Sequence, residues 1–197
     1  MRIKYNAPTV LTFTFVSAGV LFLSQTLFRF YPLEETWFMA PGKGAFSLGN
    51  FRCWITLFSH VAGHANWTHL LSNFAFILLI GPILEESYGS LPLLVMILIT
   101  ALVTGILNLL FFRTGLMGAS GIVFMMILLA SFTNFTAGEI PLTFILVLVL
   151  YLGREIVNSF GSNNISEFAH IVGGFVGSLF GFFRPPAVKK SGPADKL

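Results

Sequence analysis

Apolar residues run along this chain in blocks of roughly twenty, separated by polar or glycine-containing stretches. A bilayer-spanning helix needs about 20 mostly apolar residues, and six blocks qualify, roughly 8–31, 67–86, 91–112, 118–136, 140–158 and 166–183. The pattern predicts an all-α polytopic membrane protein with six transmembrane helices in one compact bundle. The fourth block is the least regular, since glycines open it and polar residues close it. A long connection, 32–66, joins the first two blocks, and a loop of that length is usually functional or carries short helices of its own. Trp37, Trp54 and Trp67 fall in or beside it, as expected of rings at a membrane interface. The N-terminal run from about Val10 to Phe30 is too long for the apolar stretch of a cleavable signal and lacks a clear small-residue cleavage site, so it reads as a retained helix.

Composition agrees with this reading. Of 197 residues, 55% are hydrophobic and 10% charged, against about 25% charged in soluble domains. The net charge is +3, with basic residues scattered or near the ends and no basic, aromatic-interleaved surface of the kind that binds nucleic acid. Cys53 is the only cysteine, which excludes an intrachain disulfide framework and a thiolate metal cluster. Arg2 and Lys4 precede the first block, and Arg184, Lys189, Lys190 and Lys196 follow the sixth. An even number of spans puts both ends on one side, which the positive-inside rule makes cytoplasmic. Arg113, Arg154, Lys43 and Arg52 run against a perfect bias. The short length suggests a bacterial inner membrane.

That topology gathers chemistry at one depth. Blocks two, four and six all begin on the outer side. His69 and Asn73 lie in the first turns of block two, Ser120 opens block four, and His170 stands about one turn into block six. A serine hydroxyl is a weak nucleophile at its free pKa and needs a base. A neutral imidazole can take its proton and return it to a leaving amine. Ionisable groups inside a bilayer are costly, so His170 is a functional candidate by default. Ser120 within Gly118-Ala119-Ser120-Gly121 also reads as a small residue at a helix contact, with Gly118 and Gly121 there for close packing. A histidine at matched depth tips the balance toward catalysis. His170, Gly173, Gly177 and Gly181 share one helix face, which lets block six approach block four closely. His69 and Asn73 also share a face, and both can donate hydrogen bonds to an oxyanion. Each has an alternative structural reading, as a loop or interhelical contact.

Other groups carry less. His60, His64 and His69 do not repeat a helical face, and no acidic residue lies among them. A zinc site needs three or four convergent ligands, so neither metal nor cofactor is expected. Glu85 and Glu86 close block two a membrane-width from Ser120 and read as a helix end, with a hydrogen-bonded structural role open to Glu85. Glu167 lies one turn before His170, but no carboxylate is obviously set to orient it, so a dyad is expected rather than a triad.

Taken in order, Phe51-Arg52, His64-x-x-x-x-His69-x-x-x-Asn73, Glu85-x-x-x-Gly89, Gly118-Ala119-Ser120-Gly121 and Ala169-His170-x-x-Gly173-x-x-x-Gly177 resemble the rhomboid family of intramembrane serine proteases over nearly the whole chain. The resemblance implies Ser120 as nucleophile and His170 as general base. It implies His69, Asn73 and the Ser120 backbone N–H as oxyanion donors. His64 would be a structural residue of the first loop, and Glu85 one of the second helix. Phe124 stands where the family often has a tyrosine stacked on the catalytic histidine, and Phe51 where it usually has tryptophan. The implied activity is cleavage of membrane-anchored helices near the outer boundary, with the fifth helix and the 159–166 loop as gate. A catalytically inactive relative that binds transmembrane helices is the alternative, although such proteins typically lack the serine or the histidine. A small transporter is a third reading, but the two halves show no repeat.

Overall fold

The computed structural model describes residues 3–131, 142, 145, 146, 149, 150 and 164–183, with side chains in the last helix described from Ile171 onward. Among them the protein is all helix. Helix α1 (Pro8–Gln25) is followed by two short loop helices, α2 (Leu33–Trp37) and α3 (Phe51–Ser59), and a 3-10 turn at His60–Ala62. Then come α4 (Trp67–Tyr88), α5 (Ser90–Phe111), α6 (Ser120–Ala130) and α7 (Asn164–Phe183). A single antiparallel bridge, Ala40 with Leu116, ties the long loop to the segment before α6. Three helices, α1, α4 and α5, are long and apolar enough to cross a membrane, while α6 and the described face of α7 are shorter apolar stretches.

The ends of these helices follow from local chemistry. Pro8 opens α1, where its missing N–H is no loss. The next two N–H groups, of Thr9 and Val10, donate to the two carboxylate oxygens of Glu85 at 2.9 and 3.0 Å. Helix α1 was expected to reach residue 31 but stops at Gln25. The Thr26 N–H still bonds the Phe22 carbonyl at 3.1 Å, but Thr26 leaves helical space at φ −110 and ψ −80, the Phe28 N–H reaches back five residues to the Leu23 carbonyl, and Pro32 follows shortly after. Asn66 caps α4 by accepting the His69 N–H at 2.8 Å, a favourable residue at that position. Gly89, at φ +91, ends α4 and starts α5 in one step. Helix α6 begins at Ser120 rather than 118, because Gly118 sits at φ +125, outside helical space. Of the expected fifth helix, Leu142, Ile145, Leu146, Val149 and Leu150 are helical and exposed, and the remainder lies outside the described residues.

The core lies around α6, which is buried on every side from Gly121 to Leu129. Its closest neighbour is α7. A Cβ added at Gly173 would land on the backbone of Gly121, and one added at Gly177 would land on the Met125 carbonyl, with the Met125 Cα at 2.9 Å. Both pairs have the same offset in sequence, so α6 and α7 run parallel and in register. The side chains of α1, α4 and α5 that point away from this core are mostly apolar and exposed, including Phe15, Leu79 and Leu98. That outer surface suits lipid rather than water.

The long first loop folds back on the bundle. Leu57 of α3 meets α5 at Gly105, where a Cβ would lie 3.0 Å from the Leu57 carbonyl. His60 is buried and its Nε2 donates to the Ala101 carbonyl at 3.0 Å. The Ser59 hydroxyl bonds the Trp37 carbonyl, joining α3 to α2. Ala40 and Leu116 exchange two backbone bonds of 2.9 and 3.0 Å. Such closure of a polar loop satisfies backbone groups that would be costly near lipid.

Candidate active site at the start of α6

Four elements meet at the Gly118-Ala119-Ser120 turn. The Gly118 N–H donates to the His60 carbonyl at 2.9 Å. The Ala119 N–H donates to His64 Nε2 at 3.4 Å. Helix α4 brings its first turns alongside: a Cβ at Gly118 would lie 2.7 Å from His69 Cε1, 2.9 Å from His69 Nε2 and 3.9 Å from Asn73 Nδ2. Gly118 is thus required twice, by its positive φ and by the imidazole packed against it. Helix α7 arrives from the far side at Gly121.

His64 is the hub of this cluster. It is fully buried, and the Asn73 amide donates to its Nε2 at 3.1 Å. Because Nε2 accepts from both Asn73 and Ala119, the proton must sit on Nδ1, which donates to the Ala62 carbonyl at 3.3 Å. Burial first, and the neighbouring His69 second, push the His64 imidazole down to about 4, against a smaller upward pull from its bond to Ala62. His64 is therefore a neutral acceptor with a fixed tautomer. Its ring is edge-on to His69 at 5.0 Å and to Phe74 at 5.6 Å. His60 is likewise pushed down to about 4 by burial, partly offset by its bond to Ala101.

Ser120 is half-buried and is the first residue of α6. The first N–H groups of a helix have no intrahelical partner, so this end presents donors and the positive end of the helix dipole. Asn73 is buried and spends one of its two N–H bonds on His64, which leaves the other for a ligand. His69 and Asn73 lie in the first two turns of α4, which puts the cluster roughly 3–9 Å below the start of that helix.

The side chain of His170 lies outside the described residues, but its backbone belongs to α7. Extending the Gly121–Gly173 register back by one turn sets position 170 level with Gly118, at the end of α6 where Ser120 stands. Phe124, one turn along α6, is buried. Glu85 takes no part here; it holds α1 at the other end of α4. Among the described residues no three His, Cys, Asp or Glu side chains gather as metal ligands. Arg52 lies over the Trp37 ring at 5.8 Å, which links the α3 and α2 helices of the loop.

The model of the Rhomboid domain matches residues 52–186, more than two thirds of the chain. The chain belongs to the rhomboid family. A curated relative, the rhomboid protease GlpG of Haemophilus influenzae, is 24% identical over 136 residues, which cover 68% of this chain and 71% of the relative. This rhomboid is accordingly an integral, multi-pass membrane protein, in keeping with its three spanning helices. The matched region runs from the start of α3 past the end of α7 and contains every candidate site residue. Helix α1 lies outside it and is fastened to it by Glu85.

Some contacts of the rhomboid site were not anticipated. Asn66 as the cap of α4 could have been read from an asparagine just before an apolar run. The bond from Gly118 to the His60 carbonyl and the anchoring of His60 to α5 left no local signal. They join residues about 40 to 60 positions apart through backbone atoms, which any side chain carries.

Proposed function

We propose that this chain is an intramembrane serine endopeptidase that cleaves transmembrane segments of protein substrates near a membrane boundary. The observation that carries this reading is the meeting of α4, α6 and α7 at Ser120. The seam at Gly121 and Gly173 supports a reach from His170 to the Ser120 hydroxyl, and Gly118 seats the His69 and Asn73 donors beside it. In this mechanism Ser120 Oγ attacks the scissile carbonyl while His170 takes its proton. The Ser120 N–H, the second Asn73 N–H and His69 stabilise the oxyanion, and His170 returns the proton to the leaving amine. Membership of the rhomboid family and the likeness to a rhomboid protease support the same reading.

A substrate helix is fully hydrogen-bonded in lipid, so its carbonyl is reachable only after local unwinding. Substrates should therefore carry Gly, Pro or polar residues near the cut, which weaken a helix. The segments 140–158 and 159–163, the first mostly and the second wholly outside the described residues, complete six spans in this proposal and gate access; residues 164–166 of the expected gate belong to α7. The basic residues at both ends favour cytoplasmic termini and a site open to the outer face of a bacterial inner membrane.

The deciding experiment is cleavage of a model transmembrane substrate by the detergent-purified protein. Ser120→Ala and His170→Ala should each abolish cleavage with thermal unfolding unchanged, and the double variant should lose no more than either single one. Substantial cleavage by Ser120→Ala would overturn the assignment. An inactive wild type that still retains the substrate helix would favour the inactive helix-binding reading.

A further inference from the structure

A cavity of about 440 Å³, lined by both polar and apolar groups, opens between the long loop and the segment after α5. Arg52 of α3 and Arg113 beyond α5 both line it, together with Glu35, Asn50 and Cys53. No ion pair engages either guanidinium among the described residues, and both arginines are exposed. The cavity's hydroxyls are already committed: Thr36 bonds the Pro32 carbonyl at 2.6 Å and Thr56 the Cys53 carbonyl at 3.1 Å. Its spare donors are thus two guanidiniums and the Asn50 amide, whose oxygen caps α3 through the Arg52 N–H. Against them stands one carboxylate, Glu35.

The surroundings say where such a ligand comes from. Arg113 lies two residues past the end of α5, a spanning helix. Arg52 is flanked by Phe51, which is 73% exposed, and Trp54 beside it is 46% exposed. Phe111, on the α5 side, is 64% exposed. Exposed apolar and aromatic residues next to a basic recess mark the level where phospholipid phosphates sit.

We propose that this cavity binds the headgroup of a membrane phospholipid, with Arg52 and Arg113 on the phosphodiester and Glu35 on a primary ammonium. The pairing matches charge for charge. Guanidiniums bind phosphate by charge-assisted, two-pronged hydrogen bonds. A primary ammonium donates hydrogen bonds to a carboxylate, whereas a trimethylammonium has none to give, so phosphatidylethanolamine fits better than phosphatidylcholine. The bound lipid would brace α2 and α3 against the segment that follows α5.

Cys53 offers a direct readout, since it is the only cysteine, is half-buried and lines the cavity. The full-length protein in neutral maltoside micelles is alkylated with a small maleimide, with and without added lipid. Phosphatidylethanolamine should slow alkylation about tenfold, the factor given by a modest gain in headgroup affinity. Phosphatidylcholine should protect less. Diacylglycerol with the same chains, or inorganic phosphate alone, should not protect. In Arg113→Gln, an exposed substitution, the ratio of rates with and without phosphatidylethanolamine should fall to one. Equal protection by diacylglycerol, by inorganic phosphate alone, or in Arg113→Gln would overturn the site. Equal protection by the two phospholipids would overturn the role of Glu35.

Discussion

Helix α4 carries a buried polar constellation at each end, and the two are built on opposite principles. At its C-terminal end both oxygens of Glu85 are taken by the N–H groups of Thr9 and Val10, and the result is a clasp between helices. At its N-terminal end the Asn73 amide spends one N–H on His64 and keeps another, beside the start of α6, whose first N–H groups have no intrahelical partner. Burial of a polar group is costly unless it is satisfied. Glu85 meets that demand completely and so stabilises the fold. The Asn73 end keeps a second amide N–H, close to the Gly118 turn. Spare hydrogen-bonding capacity, rather than burial alone, separates the candidate cluster from the structural clasp.

The sharpest test of this contrast is a pair of substitutions on one helix. Asn73→Ala should lower turnover by about 10²–10³, the value of one oxyanion donor, with a smaller change in KM. A large rise in KM with unchanged turnover would place Asn73 in substrate binding instead. The seam between α6 and α7 comes next. Gly177→Val forces a side chain onto the Met125 backbone, and a shift of about 1 Å at the reacting groups can cost on the order of 100-fold in rate. Melting temperature should fall too, since overpacking costs about 1–3 kcal/mol. Val176→Leu is the control: Val176 lines an apolar cavity of about 490 Å³ between α5 and α7, where an added methylene has room. Wild-type activity and melting in Gly177→Val would remove the seam from the account of activity.

At the clasp the effect is smaller and of another kind. Glu85→Gln leaves one acceptor for two N–H groups and turns an amide N–H toward a donor. The expected loss is about 1–3 kcal/mol of stability, read as a lower melting temperature with turnover of the folded protein unchanged. A Glu85→Gln variant that melts like wild type but turns over slowly would reverse the assignment of the two ends.

The mildest effect is on pH. His60 and His64 are held at about 4 in the fold against 6.5 unfolded, so the unfolded chain takes up protons first on acidification. Their contribution is complete above about pH 6.5 and is lost as pH falls from there toward 4. Glu34, raised chiefly by burial, works in the opposite sense at the acid end, because the folded state takes up its proton first. Melting temperature in detergent should fall between pH 7 and 5, and a flat profile over that range would contradict neutral, buried histidines.

How much of this was legible beforehand depends on the kind of signal. The spans of α4 and α5 were, to within two residues, because each is an apolar run of about twenty residues. The end of α1 was not: Leu27, Phe28 and Phe30 are apolar enough to extend it, but the backbone leaves helical space at Thr26 and the Phe28 N–H turns to the Leu23 carbonyl. Ser120, His69, Asn73 and Gly118 stood out as rare polar or flexible residues in apolar blocks, and the fold gathers them at one turn. The bracing of that turn by the His60 carbonyl and His64 Nε2 was not legible, because it depends on how a 35-residue loop returns to the bundle. Sequence patterns report periodicity along one element, whereas these bonds cross between elements.

The seam of glycines between α6 and α7 works as a ruler. Backbone rests on backbone at Gly121–Gly173 and Met125–Gly177, so the helices have one notch in which they fit. Sliding either by a single residue would set a side chain where only a hydrogen has space. A residue inserted into α7 just before Gly173 would keep the notch and displace everything upstream by about 100° and 1.5 Å. Position 170 would then swing off the face that meets α6, and the proposed reach from His170 to Ser120, set by the spacing His170-x-x-Gly173, would be lost without any change in the groups themselves.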